Sequence, residues 1–169
     1  MKILNVGCGR HARPEYFGAE WEEVRLDIDP ETKPDIVADM VDMGPIGPFG
    51  VVYTSHAIEH LYPHDVQKAL REFLRVLLPG GFAMVIVPDL EGVKLTDGVL
   101  YECPDGPITA MDMIYGHVGT LQNNPHMAHH CGFVGETLKA ALLDAGFQSV
   151  EIKRFSPYNL MAVAQKESA

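Results

Sequence analysis

Gly7 and Gly9 flank Cys8 at the end of an apolar run, Ile3-Leu4-Asn5-Val6, and Asp27 closes the next apolar run eighteen residues past Gly9. Paired glycines let the backbone turn tightly and meet a ligand with no Cβ in the way. A carboxylate at the end of the following strand can accept both hydroxyls of a ribose. With Ala12 the spacing reads Gly-x-Gly-x-x-Ala, and the combination with Asp27 points to a nucleotide cofactor. Asp29 competes for the ribose, but its neighbour Pro30 suits it to capping a helical turn.

The second group of chemically able residues is histidine. His60 follows Glu59, and His117, His126, His129, His130 and Cys131 crowd one later stretch. Imidazole titrates near neutrality and serves as a general base where an acceptor must lose a proton. His60 reads equally as such a base or as a helix-end residue bonded to backbone. His117 and His126 are candidates to face an acceptor, because polar residues on long loops often function there. Imidazole and thiolate also bind zinc, but this spacing matches no standard site, and adjacent histidines on an extended segment point to opposite sides. No metal is expected.

The elements that position these groups follow from periodicity. Strands are expected at Lys2–Val6, Val24–Ile28, Asp35–Ala38, Val51–Thr54 and Phe82–Val87. The stretch Arg10–Glu23 contains Pro14 and Gly18 and has no clear helical period. Asp65–Leu78 is the clearest helix: Val66, Leu70, Phe73, Leu74 and Leu77 share a face, and Pro79-Gly80-Gly81 stops it. Gly135–Ala145 is a second amphipathic helix. Residues 90–132 hold no sustained period, and an irregular segment that long is usually functional. Two closing strands, Val150–Phe155 and Asn159–Gln165, are separated only by Ser156-Pro157-Tyr158. They must pair antiparallel, since a parallel pair needs a long crossover.

The expected fold is therefore α/β: a Rossmann-like, mostly parallel sheet with an antiparallel last strand and helices on both faces. Residues 1–169 read as one domain, with an irregular substrate-side insertion at about 90–132. Composition is ordinary for a globular chain, at 47% hydrophobic and 21% charged. A formal net charge of −10 argues against nucleic acid, which needs clustered Lys and Arg. No apolar run approaches a membrane span, no signal peptide is evident, and three widely spaced cysteines (Cys8, Cys103, Cys131) look like reduced thiols. Those features suggest a soluble cytoplasmic protein.

Taken as an ordered set, the motifs are more specific. Leu4-Asn5-Val6-Gly7-Cys8-Gly9, Leu26-Asp27-Ile28-Asp29-Pro30, Ile36-Val37-Ala38-Asp39-Met40, Ala57-Ile58-Glu59-His60-Leu61 and Arg75-Val76-Leu77-Leu78-Pro79-Gly80-Gly81 follow one another, and Gly146-Phe147 precedes the closing strands. In this the chain resembles the compact class I S-adenosylmethionine-dependent methyltransferases. The resemblance implies a seven-stranded sheet with its last strand reversed, and S-adenosylmethionine as cofactor. It places Gly7, Cys8 and Gly9 along the methionine part, Asp27 on the ribose and Ile28 on the adenine face. It sets Asp39 at the adenine amino group with Met40 beside it, and Ser55 and His56 towards the methionine portion. Asn5 stands where many such proteins carry an acid, and the segment after Gly9 lacks their long helix.

The implied activity is methyl transfer to a small or medium acceptor, such as a saccharide or other metabolite, in a pocket built from residues 90–132. Transfer from a sulfonium is an in-line displacement in which alignment supplies much of the rate. Cys8 lies within the cofactor turn, so no cysteine nucleophile is expected. One alternative is a nicotinamide-dependent oxidoreductase, which shares the glycine turn and ribose acid. The Pro-Gly-Gly stop, the terminal hairpin and the lack of a substrate domain speak against it. Another is a non-catalytic S-adenosylmethionine-binding module acting through a partner. The sequence is silent on oligomeric state.

Overall fold

Strand β1 (Lys2–Val6) pairs in parallel with β2 (Glu22–Asp27) on one side and β4 (Phe49–Ser55) on the other. A short β3 (Ile36–Val37) extends the sheet beyond β2. The computed structural model describes residues 1–96, 98–104 and 106–169. Helix α1 (Pro63–Val76) returns the chain to β5 (Leu77–Pro88), parallel to β4. Helix α4 (Gly135–Asp144) precedes β8 (Ser149–Phe155) and β9 (Asn159–Gln165). The strand order is β3-β2-β1-β4-β5-β9-β8. β9 is antiparallel to both neighbours, as the short connection requires. This is the reversed last strand expected from the sequence.

Between β5 and α4 lies the insertion. It carries a two-stranded hairpin of β6 (Val99–Cys103) and β7 (Gly106–Thr109), then α2 (Ala110–Tyr115) and α3 (Val118–Leu121). A 3-10 turn follows at Pro125–Met127. The segment expected to be irregular is thus built of short elements, two of them strands without a sustained apolar run and two of them helices of fewer than two turns.

Alternation along β1 divides the core. Leu4 and Val6 point to one face, against Val66, Leu70 and Phe73 of α1 and Leu138 and Leu142 of α4. Gln67 of α1 donates to the Ala141 carbonyl of α4 at 2.9 Å, and Lys166 caps α1 by donating to the Leu74 and Leu77 carbonyls. Ile3 points to the other face, with Val51, Tyr53 and Ile86. There the helical cover is Phe17, from a 3-10 turn at Glu15–Phe17, with Trp21 beside it. Helical structure reaches both faces, and the second carries only a single turn, as the absence of a helical period in residues 10–23 led one to expect.

That turn is held by polar contacts from β1 and β2. Asn5, buried, donates to Glu23 Oε1 at 2.8 Å, and the same oxygen accepts the Arg13 backbone N–H at 2.7 Å. Arg13 in turn donates to the Gly18 and Trp21 carbonyls. These contacts pin residues 10–21 to the sheet in an extended path, with Asn5 committed to holding the loop.

Candidate active site

The glycine turn follows β1 directly. The Gly7 and Cys8 N–H groups both donate to the Leu26 carbonyl, at 2.9 and 3.3 Å. Gly7 has φ +64°, and a Cβ there would lie 2.5 Å from Ala57 Cβ, so only glycine fits. Asp27 is buried at the end of β2. Its Oδ2 accepts the Gly9 N–H at 2.7 Å and its Oδ1 accepts the Asp29 N–H at 2.9 Å. One carboxylate therefore sets the shape of the glycine turn and of the turn after β2. Asp29 caps the 3-10 turn at Pro30–Thr32 by accepting from the Glu31 N–H, the capping role read from its proline neighbour.

Around this turn the other expected cofactor residues form a rim. Ile28 is 63% exposed beside Asp27, an apolar side chain with no partner in the core. Met40 approaches Gly7, its Cε 3.6 Å from where a Cβ would stand. Asp39 is exposed and spends one oxygen on the Val41 N–H at 3.0 Å. Ser55 ends β4, and His56 follows it with φ +52°. Cys8 is buried with its thiol donating to the Gly9 carbonyl; burial pushes its pKa up, which fits a packing residue.

His56 joins two cavities. On one side is an apolar trough of about 450 Å³ on the second sheet face, lined by Tyr16, Tyr53, Ser55, Met84, Ile86 and Asn159 among others. On the other is a smaller chamber of about 190 Å³ between the sheet end and the insertion, lined by Glu59, His60, Tyr101, Asp112, His117 and His129 among others. His56 Nε2 meets Asn159 Oδ1 at 2.9 Å, and its Nδ1 lies 3.4 Å from Glu59 Oε1. Burial pulls the His56 pKa down, but the Glu59 carboxylate and the Asn159 oxygen outweigh it and hold it above the ordinary imidazole value.

Within the chamber, His60 Nδ1 lies 3.1 Å from the Ala128 carbonyl and His129 Nδ1 lies 2.9 Å from the Met113 carbonyl. Burial outweighs the neighbouring Glu59 at His129 and lowers its pKa. Cys131, beside the same acid, is pushed up by burial to about 11, which leaves it a protonated thiol. His60 bonds to backbone and also lines the chamber. His117 lines it too and meets Thr120 Oγ1 at 3.2 Å. His126 lies exposed on the turn Pro125–Met127 and is not among the residues lining the chamber.

Sequence reasoning passed over three of the chamber's residues. Glu59 served only as part of a motif, His129 was grouped with its neighbours, and Asp112 was not singled out. The Thr109-x-x-Asp112 spacing is a capping-box signal that reveals the last of these. No local signal brings His129 to Glu59.

This strand order, with its reversed β9 and a glycine turn facing a strand-end acid, defines a Rossmann-like nucleotide-cofactor fold. A model of the family described as "Methyltransferase domain" matches residues 1–152, and the chain belongs to that family of S-adenosylmethionine-dependent methyltransferases. This sets the nicotinamide alternative aside. Among solved structures, it is similar to an O-methyltransferase family protein from Burkholderia thailandensis (TM-score 0.73, 11% identity, covering 99% of this chain and 51% of that one). It is also similar to human N-acetylserotonin methyltransferase, solved in complex with S-adenosylmethionine (TM-score 0.68, 14% identity, 99% and 48%). A third is an S-adenosylmethionine-dependent methyltransferase from Mesorhizobium loti (TM-score 0.66, 20% identity, 98% and 90%). The chain thus spans about half the length of the first two. No curated protein matches it in sequence.

Proposed function

We propose that this chain transfers the methyl group of S-adenosylmethionine to a small or medium acceptor bound in the chamber beneath the insertion. The observation that carries this reading is the Asp27 carboxylate. It braces Gly9 and the turn after β2 at the rim where Ile28 and Met40 remain available to an adenosyl group. In the bound state Gly7 and Gly9 border the methionine part, Asp27 meets the ribose hydroxyls, and Ile28 packs on the adenine. Asp39 offers its second oxygen to the adenine amino group. Ser55 and His56 stand at the methionine end, where the two cavities meet.

The acceptor enters the chamber, with His60 and His117 facing it. His126 drops out of this proposal because of its position on the exposed turn. A volume of about 190 Å³ fits a metabolite rather than a macromolecule, and a saccharide hydroxyl is one acceptor of suitable polarity. The net charge of −10 supports excluding nucleic acid. Among the described residues no helix is long and apolar enough to cross a membrane. Residues 1–169 are taken as one methyltransferase domain, and the three unpaired cysteines support a cytoplasmic location.

Titration calorimetry with S-adenosylmethionine, S-adenosylhomocysteine and NAD tests the cofactor. Saturable binding of the first two and none of NAD is expected. Asp27→Ala should abolish binding, though it also loosens the turn. Ile28→Ala leaves the fold intact and should weaken binding by about 1 kcal/mol, roughly fivefold, through lost apolar contact. Unchanged affinity in both variants would place the adenosyl group elsewhere.

A further inference from the structure

Glu59 presents an electrostatic problem that the methyl-transfer reading leaves unsolved. Its side chain is 1% exposed; His56 Nδ1 stands 3.4 Å from its Oε1, too far and too poorly aligned for a hydrogen bond, and neither carboxylate oxygen receives one. A buried carboxylate persists only when a cation or donors compensate it. The groups facing it are His56, His60, His129 and the thiol of Cys131, with no lysine or arginine among the chamber's lining residues.

The histidines are arranged in a telling way. A carbonyl oxygen can only accept, so His60 Nδ1 and His129 Nδ1 each carry their proton towards the Ala128 and Met113 carbonyls. With Nδ1 as the donor, the neutral tautomer of each ring offers its lone pair at Nε2. Backbone carbonyls holding Nδ1–H are the usual outer support of a metal-ligating histidine. One ligand atom from each of Glu59, His60 and His129 lies within 4.8 Å of the other two. Around an ion with bonds of about 2.0–2.2 Å such atoms stand roughly 3–4 Å apart, so modest side-chain rotation closes the set.

The backbone holds this triad from both sides. The His130 and Cys131 N–H groups donate to the Glu59 carbonyl, at 2.9 and 3.2 Å, and the His129 N–H donates to the Tyr115 carbonyl at 3.1 Å. The insertion is thereby strapped to the turn that carries Glu59 and His60.

We infer that Glu59, His60 and His129 form a binding site for a divalent transition-metal ion, with its open coordination positions facing the chamber. Two imidazoles and one carboxylate are a borderline donor set that suits zinc, cobalt, nickel, iron(II) or manganese rather than calcium or magnesium. The ion compensates the buried carboxylate. Its role rests on the methyl-transfer reading: the open positions bind a hydroxyl oxygen of the acceptor and lower its pKa. The hydroxyl proton then passes to solvent. An oxygen lone pair forms the new bond to the methyl carbon, and the breaking carbon–sulfur bond leaves its electron pair on sulfur, yielding S-adenosylhomocysteine. Acceptors with oxygen nucleophiles are thus the class selected.

The test uses the untagged chain, stripped with a chelator and dialysed, titrated with cobalt(II) by absorption and with zinc(II) by calorimetry, without cofactor or acceptor. A single site is expected, weakened more than about 100-fold in Glu59→Gln and in His129→Ala, a loss at least as large as removal of an outer-shell partner causes. His130→Ala, one residue away and exposed, should bind as the wild type does. Absent binding, or equal binding in all four proteins, overturns the site. Should a variant fail to fold, the wild type alone decides: zinc raises its melting temperature if the site exists and leaves it unchanged if it does not. Titration of the metal-free protein with S-adenosylmethionine separately reports on the cofactor reading, so either can fail without the other.

Discussion

Gly7 shows how narrowly one residue is constrained here. Its positive φ and the 2.5 Å approach of Ala57 Cβ both exclude a side chain, and Met40 closes over the same spot. Gly7→Ala combines backbone strain with a steric clash, so a loss of about 1–3 kcal/mol is expected, read as a lower urea midpoint at unchanged slope. Because the displaced Ala57 lies two residues before Glu59, the same variant should weaken S-adenosylmethionine and metal binding together. Asp27 is constrained in the opposite sense, its carboxylate being needed to hold both the glycine turn and the turn after β2. The glycine turn was legible in the sequence because paired glycines answer a backbone demand within a few residues. The capping role of Asp29 was legible for the same reason. The bracing of the glycine turn by Asp27, eighteen residues past Gly9, emerged only in the structure.

Asp112 does for the insertion what Asp27 does for the cofactor turn. Its Oδ2 accepts from the Thr109 hydroxyl at 2.6 Å and the Thr109 N–H at 2.9 Å, and its Oδ1 accepts from the Val118 N–H at 3.0 Å. It thereby joins β7, α2 and α3 and sets the wall that carries His117. Burial pushes the Asp112 carboxyl up, but these hydrogen bonds outweigh it and hold it below the usual carboxylate value. The unfolded chain binds its proton at the higher, ordinary value. The stabilisation is therefore complete above that value and lost as pH falls through the depressed folded one. Protection factors across the hairpin and helices of the insertion, which divide out the pH dependence of intrinsic exchange, should fall at acid pH before those of β1, β4 and β5. Asp112→Asn should exchange fast at neutral pH and lose that acid dependence. The main strands and α1 were readable from periodicity, with ends shifted by a few residues. β6, β7, α2 and α3 were not: β6 and β7 carry no sustained apolar run or alternation, β6 having no buried residue, and α2 and α3 span fewer than two helical turns.

Across the whole molecule the sheet is unevenly clothed. One face carries α1, α4 and most of the buried apolar side chains. The other is covered chiefly by Phe17, set edge-on to Trp21 and Tyr53, and leaves the trough beside it open. Phe73 is enclosed by α1 and the sheet, so Phe73→Ala should cost near the upper end of about 3–5 kcal/mol. Phe17→Ala leaves a gap that solvent can enter from the trough, and should cost nearer the lower end. Chemical denaturation of the pair checks the order, and fluorescence of Trp21, the chain's one tryptophan, should shift to the red in Phe17→Ala alone.

What the sequence by itself determined is the order of the main strands and helices, the reversed final strand and the glycine turn that follows the first strand. Each depends on residues that are neighbours along the chain or on one element, so their spacing carries the geometry. What only the tertiary structure decided is which histidines meet an acid. His60 and Ala128 are sixty-eight residues apart, yet they bond because the insertion folds back onto the turn after β4. That contact brings His129 to Glu59 and sends His126 to the surface. No spacing rule predicts it, because the path between them runs through short elements whose packing, and not their periodicity, sets the distance.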